Sequence, residues 1–495
     1  MFDFELPEKF RRYVPLGAWL IVILAVLAIP LKIIGYGFLP GDDALRHVAK
    51  AVSGKSWPEI LVVGDAFKID HNFGWHALLG SLHRALDWDA ENLLVFSLFA
   101  LFVIVNGAAL AQLKRPEAWL ATLLAATLAS DVPQRFMLGR PFILTITVLM
   151  LVLFTVQKSK PSLKNFLFFA ALIAGCTFLH GVWYLWLLPL AAFFFAGQFR
   201  WAGLLAGAWG AGFICSALLT GHPADYLVQP LVMVTGAVGQ HATARTEAGE
   251  LQPFNGEIVA VILLGVIVAL RVLLKPANAL PFAKNPAFWL VCGCWLLGFR
   301  VSRFWEDWGW PALLVLAATE LEFLLLARMA ADSLRRLWLV IILALASFLA
   351  LTSDLGSRWT QSVTWQFLSE KEHPDLAGWL PAPGGILYSA DMSVFYQTFF
   401  KNPQGQWRYQ TGYEPAQMPA EDFATFQKIL WNNLDVKAYA PWVEKMKPAD
   451  RLVIRGSGGA SPNISKLEWN YGVSGLWIGR LPPGTNTPFL LHSVP

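Results

Sequence analysis

Two adjacent carboxylates, Asp42 and Asp43, stand directly after the first long apolar stretch of the sequence. A carboxylate at a hydrocarbon boundary is partly desolvated, which moves its pKa up toward the range of a useful general base. From Asp42 onward the spacing is helical and two-sided. Leu45, Val48, Ala49 and Val52 fall on one face, and Asp43, His47 and Lys50 on the other. An aspartate here can also cap the helix by accepting backbone N–H bonds. The cap does not need two acids, so at least one of the pair is expected to act as a base. A second amphipathic helix begins at Asp70-His71-Asn72-Phe73-Gly74-Trp75-His76. Trp75, Leu78, Leu79, Leu82 and Leu86 form its apolar stripe, and His76 and His83 lie on a neighbouring one. Both helices are expected to lie in the membrane interface, and Asp70, His71 and His47 are candidates for an acceptor or second site.

Three arginines supply the opposite charge. Arg135 and Arg140 belong to a short polar segment, 131–140, that begins with Asp131, and Arg303 stands just before Glu306 and Asp307. Arginines on the outer side of a membrane oppose the usual bias, so each needs a partner or a ligand. A guanidinium matches phosphate oxygens bidentately, which makes all three candidates for a lipid phosphate. The alternatives are pairing of Arg135 or Arg140 with Asp131, and of Arg303 with Glu306 and Asp307. The segment 221–255 carries His222, Asp225, Tyr226, His241, Arg245, Glu247 and Glu250, and reads as a solvated linker or a mobile lid. Glu320 and Glu322 lie within an apolar span and demand a partner such as Arg328, or mark an ion path.

The chain that must position these groups has 495 residues, 56% apolar and 15% charged, far from the composition of a soluble domain. Its net charge of +4 gives no basic surface for nucleic acid. Cys176, Cys215, Cys292 and Cys294 all fall in apolar runs and support neither a zinc site nor a disulfide framework. Behind a Lys9-Phe10-Arg11-Arg12 cluster, apolar segments occur at 15–39, 90–112, 117–131, 141–157, 165–180, 182–198, 201–220, 256–274, 287–301, 309–328 and 337–353. The expected fold class is therefore a membrane all-α bundle (residues 1–353) of about eleven transmembrane helices, with the two interfacial helices in its first outer loop. With the N-terminus in the cytoplasm, the basic connections all fall on that side. The segments 38–89, 131–140, 221–255 and everything after 354 then lie outside. Residues 354–495 have soluble composition and read as an extracytoplasmic α/β domain, with strands at 385–389, 452–454 and 475–478 and a helix at 420–433. The 23 tryptophans suit an interfacial belt, although Trp183-Tyr184-Trp186 and Trp305, Trp308 and Trp310 are also able to stack on sugar rings.

In its order of a first span, an immediate outer Asp42-Asp43-Ala44 motif, two amphipathic helices, a many-spanning bundle and a terminal outer domain, the chain resembles the GT-C glycosyltransferases. His47 stands where that family often has an aromatic residue. The resemblance implies a membrane enzyme that moves a sugar from a polyprenyl-phosphate or polyprenyl-diphosphate carrier to a lipid, glycan or protein acceptor. It implies Asp42 as the base with Asp43 as the second acid, Arg303 as a phosphate ligand, and Asp131 as an aid to the acceptor or to a divalent cation such as Mg or Mn. An ion-coupled transporter or flippase and a lipid-linked glycan ligase or polymerase are the competing classes. The bilayer partner and a multi-pass location in the inner (plasma) membrane follow from the same reading. A reporter fused after Pro495 is accordingly expected to be active only on the outer, periplasmic side; cytoplasmic activity would overturn the assignment of every outer loop.

Overall fold

A computed structural model describes residues 7–65, 67–129, 131–239, 252–275, 280–412, 415–432, 435–456, 459–473 and 475–483. His241, Arg245, Glu247, Glu250 and the side chain of Asp131 lie outside the described residues. The first part of the chain is a bundle of apolar helices. Five are long and apolar enough to cross a membrane: Glu8–Ile34, Ala90–Leu110, Phe199–Leu219, Ser302–Arg328 and Leu334–Thr352. Six shorter apolar helices, Glu117–Ala126, Phe142–Lys158, Leu163–Leu179, Trp183–Phe195, Ile258–Leu274 and Pro286–Gly298, occupy the other expected segments. They fall short of the roughly 20 residues that a hydrocarbon core requires of a perpendicular helix.

Charge inside the bundle is paired. At the end far from Asp42, Arg336 donates to both oxygens of the fully buried Glu117, at 2.8 and 3.1 Å. Glu322 accepts the backbone N–H of Arg115 at 3.1 Å. Glu320 binds Arg271, not Arg328, through a 2.9 Å bond from Nε. Helix Ile258–Leu274 packs on helix Trp310–Arg328 and delivers this arginine, a partner that neighbours in sequence do not reveal. Both intramembrane carboxylates are thereby satisfied, which removes the feature that favoured an ion path. Of the two aromatic clusters, Trp186, Trp305, Trp308 and Trp310 are buried in the core, with Trp186 edge to face on Trp308, while Trp183 and Tyr184 are half-buried. The expected linker after residue 221 is instead a helix, Pro223–Gly239, whose Tyr226 hydroxyl donates to Thr177 O at 2.6 Å inside the protein.

The helix after Asp42 runs over Asp43–Ser53 and is buried on almost every side, including Arg46 and His47. Its polar face is largely covered, with Asp43 and Lys50 half-buried. Helix Met392–Lys401 of the C-terminal domain packs on it. The second helix, Phe73–Leu86, buries Trp75, His76 and Leu79 but leaves Phe73, Leu78 and Leu86 exposed, so part of the expected stripe faces outward.

The C-terminal domain holds a five-stranded sheet made of β1 (Ile386–Tyr388), β2 (Arg408–Tyr409), β3 (Arg451–Arg455), β4 (Glu468–Tyr471) and β5 (Leu476–Arg480), in the order β2-β1-β3-β5-β4. The first three strands are parallel, and β5 and β4 are antiparallel. Three of these strands and the helix Ala420–Trp431 stand where the sequence places them. The two-residue β2, the strand β4 and the helix Met392–Lys401 are additions. Phe395, Tyr396 and Phe399 on one side of the sheet join the core of the bundle, while Phe426, Ile429 and Trp442 form a second core on the other side. The first loop extends the sheet itself. Leu61 bridges Tyr409 in parallel, the Val62 N–H donates to Tyr409 O at 2.9 Å, and Gly64 N–H donates to Gln417 O at 2.6 Å.

Removing one member of a buried ion pair leaves an uncompensated charge, at a cost of about 3–5 kcal/mol. Arg336→Met is therefore expected to lower the thermal stability of the purified protein sharply, and Glu117→Gln added to it to restore most of the loss. A double variant no more stable than the single one would refute this.

Candidate functional site

Asp42 is the N-cap of helix Asp43–Ser53, with Oδ1 accepting the Ala44 N–H at 3.2 Å. Its other oxygen takes Arg140 Nη2 at 2.8 Å. Capping and a second role thus coexist in one carboxylate, since an ionised aspartate has about four acceptor positions. Asp43, one residue on, accepts Arg46 Nε at 2.8 Å and lies 3.9 Å from Arg140 Nη1. Burial, and then the charge of nearby Asp43, raise the Tyr396 phenol, which the C-terminal domain delivers to this region.

The two acids titrate apart. Burial raises the Asp42 carboxyl above the ordinary aspartate range, and Asp43 adds to this, against the pull of Arg140. Burial would raise Asp43 too, but Arg46 and Arg140 together hold it well below that range. Asp43 is a fixed anion and Asp42 is the better proton acceptor of the pair.

A second charged group stands nearby. The helical run Ser302–Arg328 contains a π turn over Trp305–Gly309, in which the Trp310 N–H reaches Trp305 O. Such turns recur at functional sites because they re-aim side chains within a helix. Here the turn carries Glu306 and Asp307. Asp307 binds Arg135, through Nε at 3.0 Å and also through Nη2, and it binds Arg303 Nε at 3.1 Å. Glu306 takes Arg135 Nη1 at 2.7 Å. Each candidate phosphate arginine therefore has an acid within the chain, and for Arg135 and Arg140 the pairing is with acids singled out for other roles. Arg303 keeps the most exposure, 34% of its side chain against 12% for Arg135 and Arg140.

Arg303, Asp307, Trp308, His180, Thr145 and apolar neighbours including Phe142 line a narrow recess. The Trp308 indole N–H in its wall is buried without a hydrogen-bond partner among the described residues. His180 follows directly on helix Leu163–Leu179. The charges of Arg303, His71, Arg140 and Asp43 all act on its imidazole. That set of neighbours brings the Asp42–Asp43 cluster and the Arg303 recess into one region. His180 escaped the sequence reading, although a titratable residue at the edge of an apolar run is itself a signal.

The remaining candidates form a third group. His47 Nδ1 lies 2.8 Å from His76 Nε2, and His76 Nδ1 lies 2.6 Å from Asp70 Oδ2. His71 Nε2 is 2.7 Å from Gln229 Nε2, and Gln229 also bonds the backbone of Lys68 and Ile69. Burial lowers His71 to about 4 and lowers His47 and His76 as well, so all three imidazoles are neutral at pH 7. The backbone of Asp131 opens the short helix Asp131–Phe136. Among the described residues no group of three or more His, Cys, Asp or Glu is placed to hold a metal ion.

No protein-family model matches the sequence, and no curated protein matches it either.

The opposed shifts of the two acids set opposed pH dependences. Asp43, held below its unfolded value, contributes stability that is present above about pH 4 and is lost as the pH falls toward its folded value. Asp42, pushed up, is penalised in its ionised form and contributes nothing of this kind. Asp43→Asn is expected to lower the melting temperature at pH 7, by an amount that shrinks on acidification to pH 3, while Asp42→Asn changes it little. Equal losses in both variants, or a gap that widens in acid, would contradict the assignment.

Proposed function

We propose that the chain is a GT-C-like membrane glycosyltransferase that moves a sugar from a polyprenyl-phosphate carrier to an acceptor on the extracytoplasmic face. The observation that carries this reading is the nearness to His180 of both the Asp43–Arg140 pair, which holds the base candidate Asp42, and the recess that presents Arg303. The buried Trp308 N–H in the same wall supports it, because an unsatisfied donor is costly and a phosphate oxygen would satisfy it. The recess as it stands has room for about one water-sized group, so a phosphate would enter only with its walls drawn apart.

In this mechanism Asp42 takes the proton from the acceptor hydroxyl. The oxygen attacks the anomeric carbon from the face opposite the phosphate, and the bond from that carbon to the phosphate oxygen breaks. The phosphate departs with the electron pair, and Arg303 stabilises its growing charge. Asp43, fixed by Arg46 and Arg140, holds Arg140 and thereby Asp42. One displacement inverts the anomeric configuration and needs no protein nucleophile. A divalent cation shared by Asp42 and Asp131 remains part of the proposal as an aid to the phosphate.

The reading includes eleven membrane segments, with the six shorter helices tilted or partly inserted. It places the N-terminus in the cytoplasm and the C-terminal domain outside a plasma membrane. A transporter is disfavoured by the satisfied partners of Glu320 and Glu322.

The test is transfer from a radiolabelled polyprenyl-phosphate hexose by the purified protein. Asp42→Asn keeps the cap and removes the base, so transfer is expected to fall at least about 10²-fold without loss of folded protein. Arg303→Lys should keep part of the activity and Arg303→Ala almost none. A stable Arg303→Ala protein with undiminished donor binding, or an Asp42→Asn protein with normal turnover, would refute the assigned roles.

A further inference from the structure

The π turn over Trp305–Gly309 forms part of the recess wall, yet a turn with one residue more than an α-helix needs something to hold that residue in. Arg135 holds its middle, through Glu306 and Asp307. Its two ends are held from a different segment. The indole N–H of Trp305 donates to Glu257 Oε2 at 2.9 Å, and that of Trp310 donates to the same oxygen at 2.7 Å. Both indoles are buried, so each needs an acceptor.

One carboxylate oxygen reaches both indoles in one register only. Residues five apart on a regular α-helix point about 140° away from each other, since each residue turns by about 100°. With the extra residue of the π turn in place, Trp305 and Trp310 instead stand as neighbours one turn apart, and their ring centroids lie 5.5 Å from each other. Were the turn to tighten to an α-helix, everything before it would rotate by about 100° relative to helix Trp310–Arg328. Arg303, Asp307 and Trp308 would then turn out of the recess wall.

Glu257 is itself held firmly. Its backbone lies in the left-handed region, at φ 30°, which favours glycine. Residues 252–257 are strapped across the helix ends that flank the turn. The Ser302 N–H donates to Gln252 O at 2.8 Å, the Phe254 N–H to Gly298 O at 3.0 Å, and the Trp295 indole to Gly256 O at 3.1 Å. A side chain at Gly298 would collide with Phe254, and one at Gly309 with the Trp305 ring, so both glycines serve the same clamp. A non-glycine residue kept in a left-handed conformation, where its carboxylate reaches two indoles, is over-determined by its surroundings in the way that functional positions are.

We propose that Glu257 is a positioning residue that fixes the register of the π turn and thereby aims Arg303 at the recess. The part that Arg303 plays there rests on the glycosyl-transfer reading; the clamp on the register does not.

The clamp is read without activity from the indole signals of purified full-length protein labelled with nitrogen-15 tryptophan and assigned by single tryptophan-to-phenylalanine variants. Glu257→Gly suits the left-handed backbone and removes the acceptor, whereas Glu257→Gln keeps an oxygen with two acceptor positions. In Glu257→Gly the signals of Trp305 and Trp310 should move, and so should that of Trp308, whose ring packs on Trp186 and reports the register. Glu257→Gln should restore Trp308. Trp310→Phe leaves Glu257 in place and removes one donor, and it should displace the Trp308 signal in the same direction. In the transfer assay kcat of Glu257→Gly is expected to fall about tenfold, the worth of one hydrogen bond to a charged group, and Glu257→Gln to recover most of it. A Trp308 signal that stays put in Glu257→Gly overturns the inference. So does a lower melting temperature with an unchanged kcat, which would mark a purely structural contact. If the wild type transfers nothing, the glycosyl-transfer reading fails, while the spectra still decide the clamp.

Discussion

Asp42 and Asp43 stand side by side, half-buried, and Arg140 is the cation they share. Two carboxylates so placed repel and favour protonation, so the arrangement persists only because cations are supplied from elsewhere in the chain. Arg140 comes from the segment before helix Phe142–Lys158, and Arg46 from the same helix as Asp43. The asymmetry between the acids follows from who reaches whom: two arginines for Asp43, one for Asp42. The possible chemistry rests on that difference of one guanidinium.

The same constraint organises the rest of the bundle. Charges gather in two layers, one with Asp42, Arg140, Arg135 and Asp307, the other with Glu117, Arg336, Glu320 and Arg271. Asp307 and Glu320 are 13 residues apart on one continuous helical run, so the layers are separated by roughly 20 Å of apolar packing. Each layer is closed on itself by pairing, and the apolar middle is left to Leu, Val, Phe and Trp.

What the sequence disclosed was local. The cap at Asp42 followed from an acid ahead of an apolar helical pattern, and β1, β3 and β5 from alternating runs between turn residues. The apolar helices followed from hydropathy. What it withheld was pairing across long separations. Arg135 with Asp307 and Arg271 with Glu320 join segments that no spacing rule connects. Asp70 precedes the helix that carries His76, so their six-residue separation has no helical periodicity to expose it. Tyr396 sits among phenylalanines in a helix that reads as plain core. The tryptophans misled for a similar reason, since composition cannot tell a belt from a packed interior.

The seam where Leu61 and Val62 lie along Tyr409 has a consequence for how the protein comes to exist. A ribosome makes about 5–20 residues per second, so the segment at 61 waits some tens of seconds for the strand at 409 to be made. During that interval the helix Asp43–Ser53 has its neighbours Phe73–Leu86 and Ala90–Leu110 beside it but lacks the cover of helix Met392–Lys401. A hydrophobic surface left bare that long would invite aggregation, whereas Asp43, Arg46, His47 and Lys50 keep the uncovered side soluble. The polar face that ends up largely covered in the finished molecule is thus suited to the unfinished one, and a segment made much later is the one that closes it.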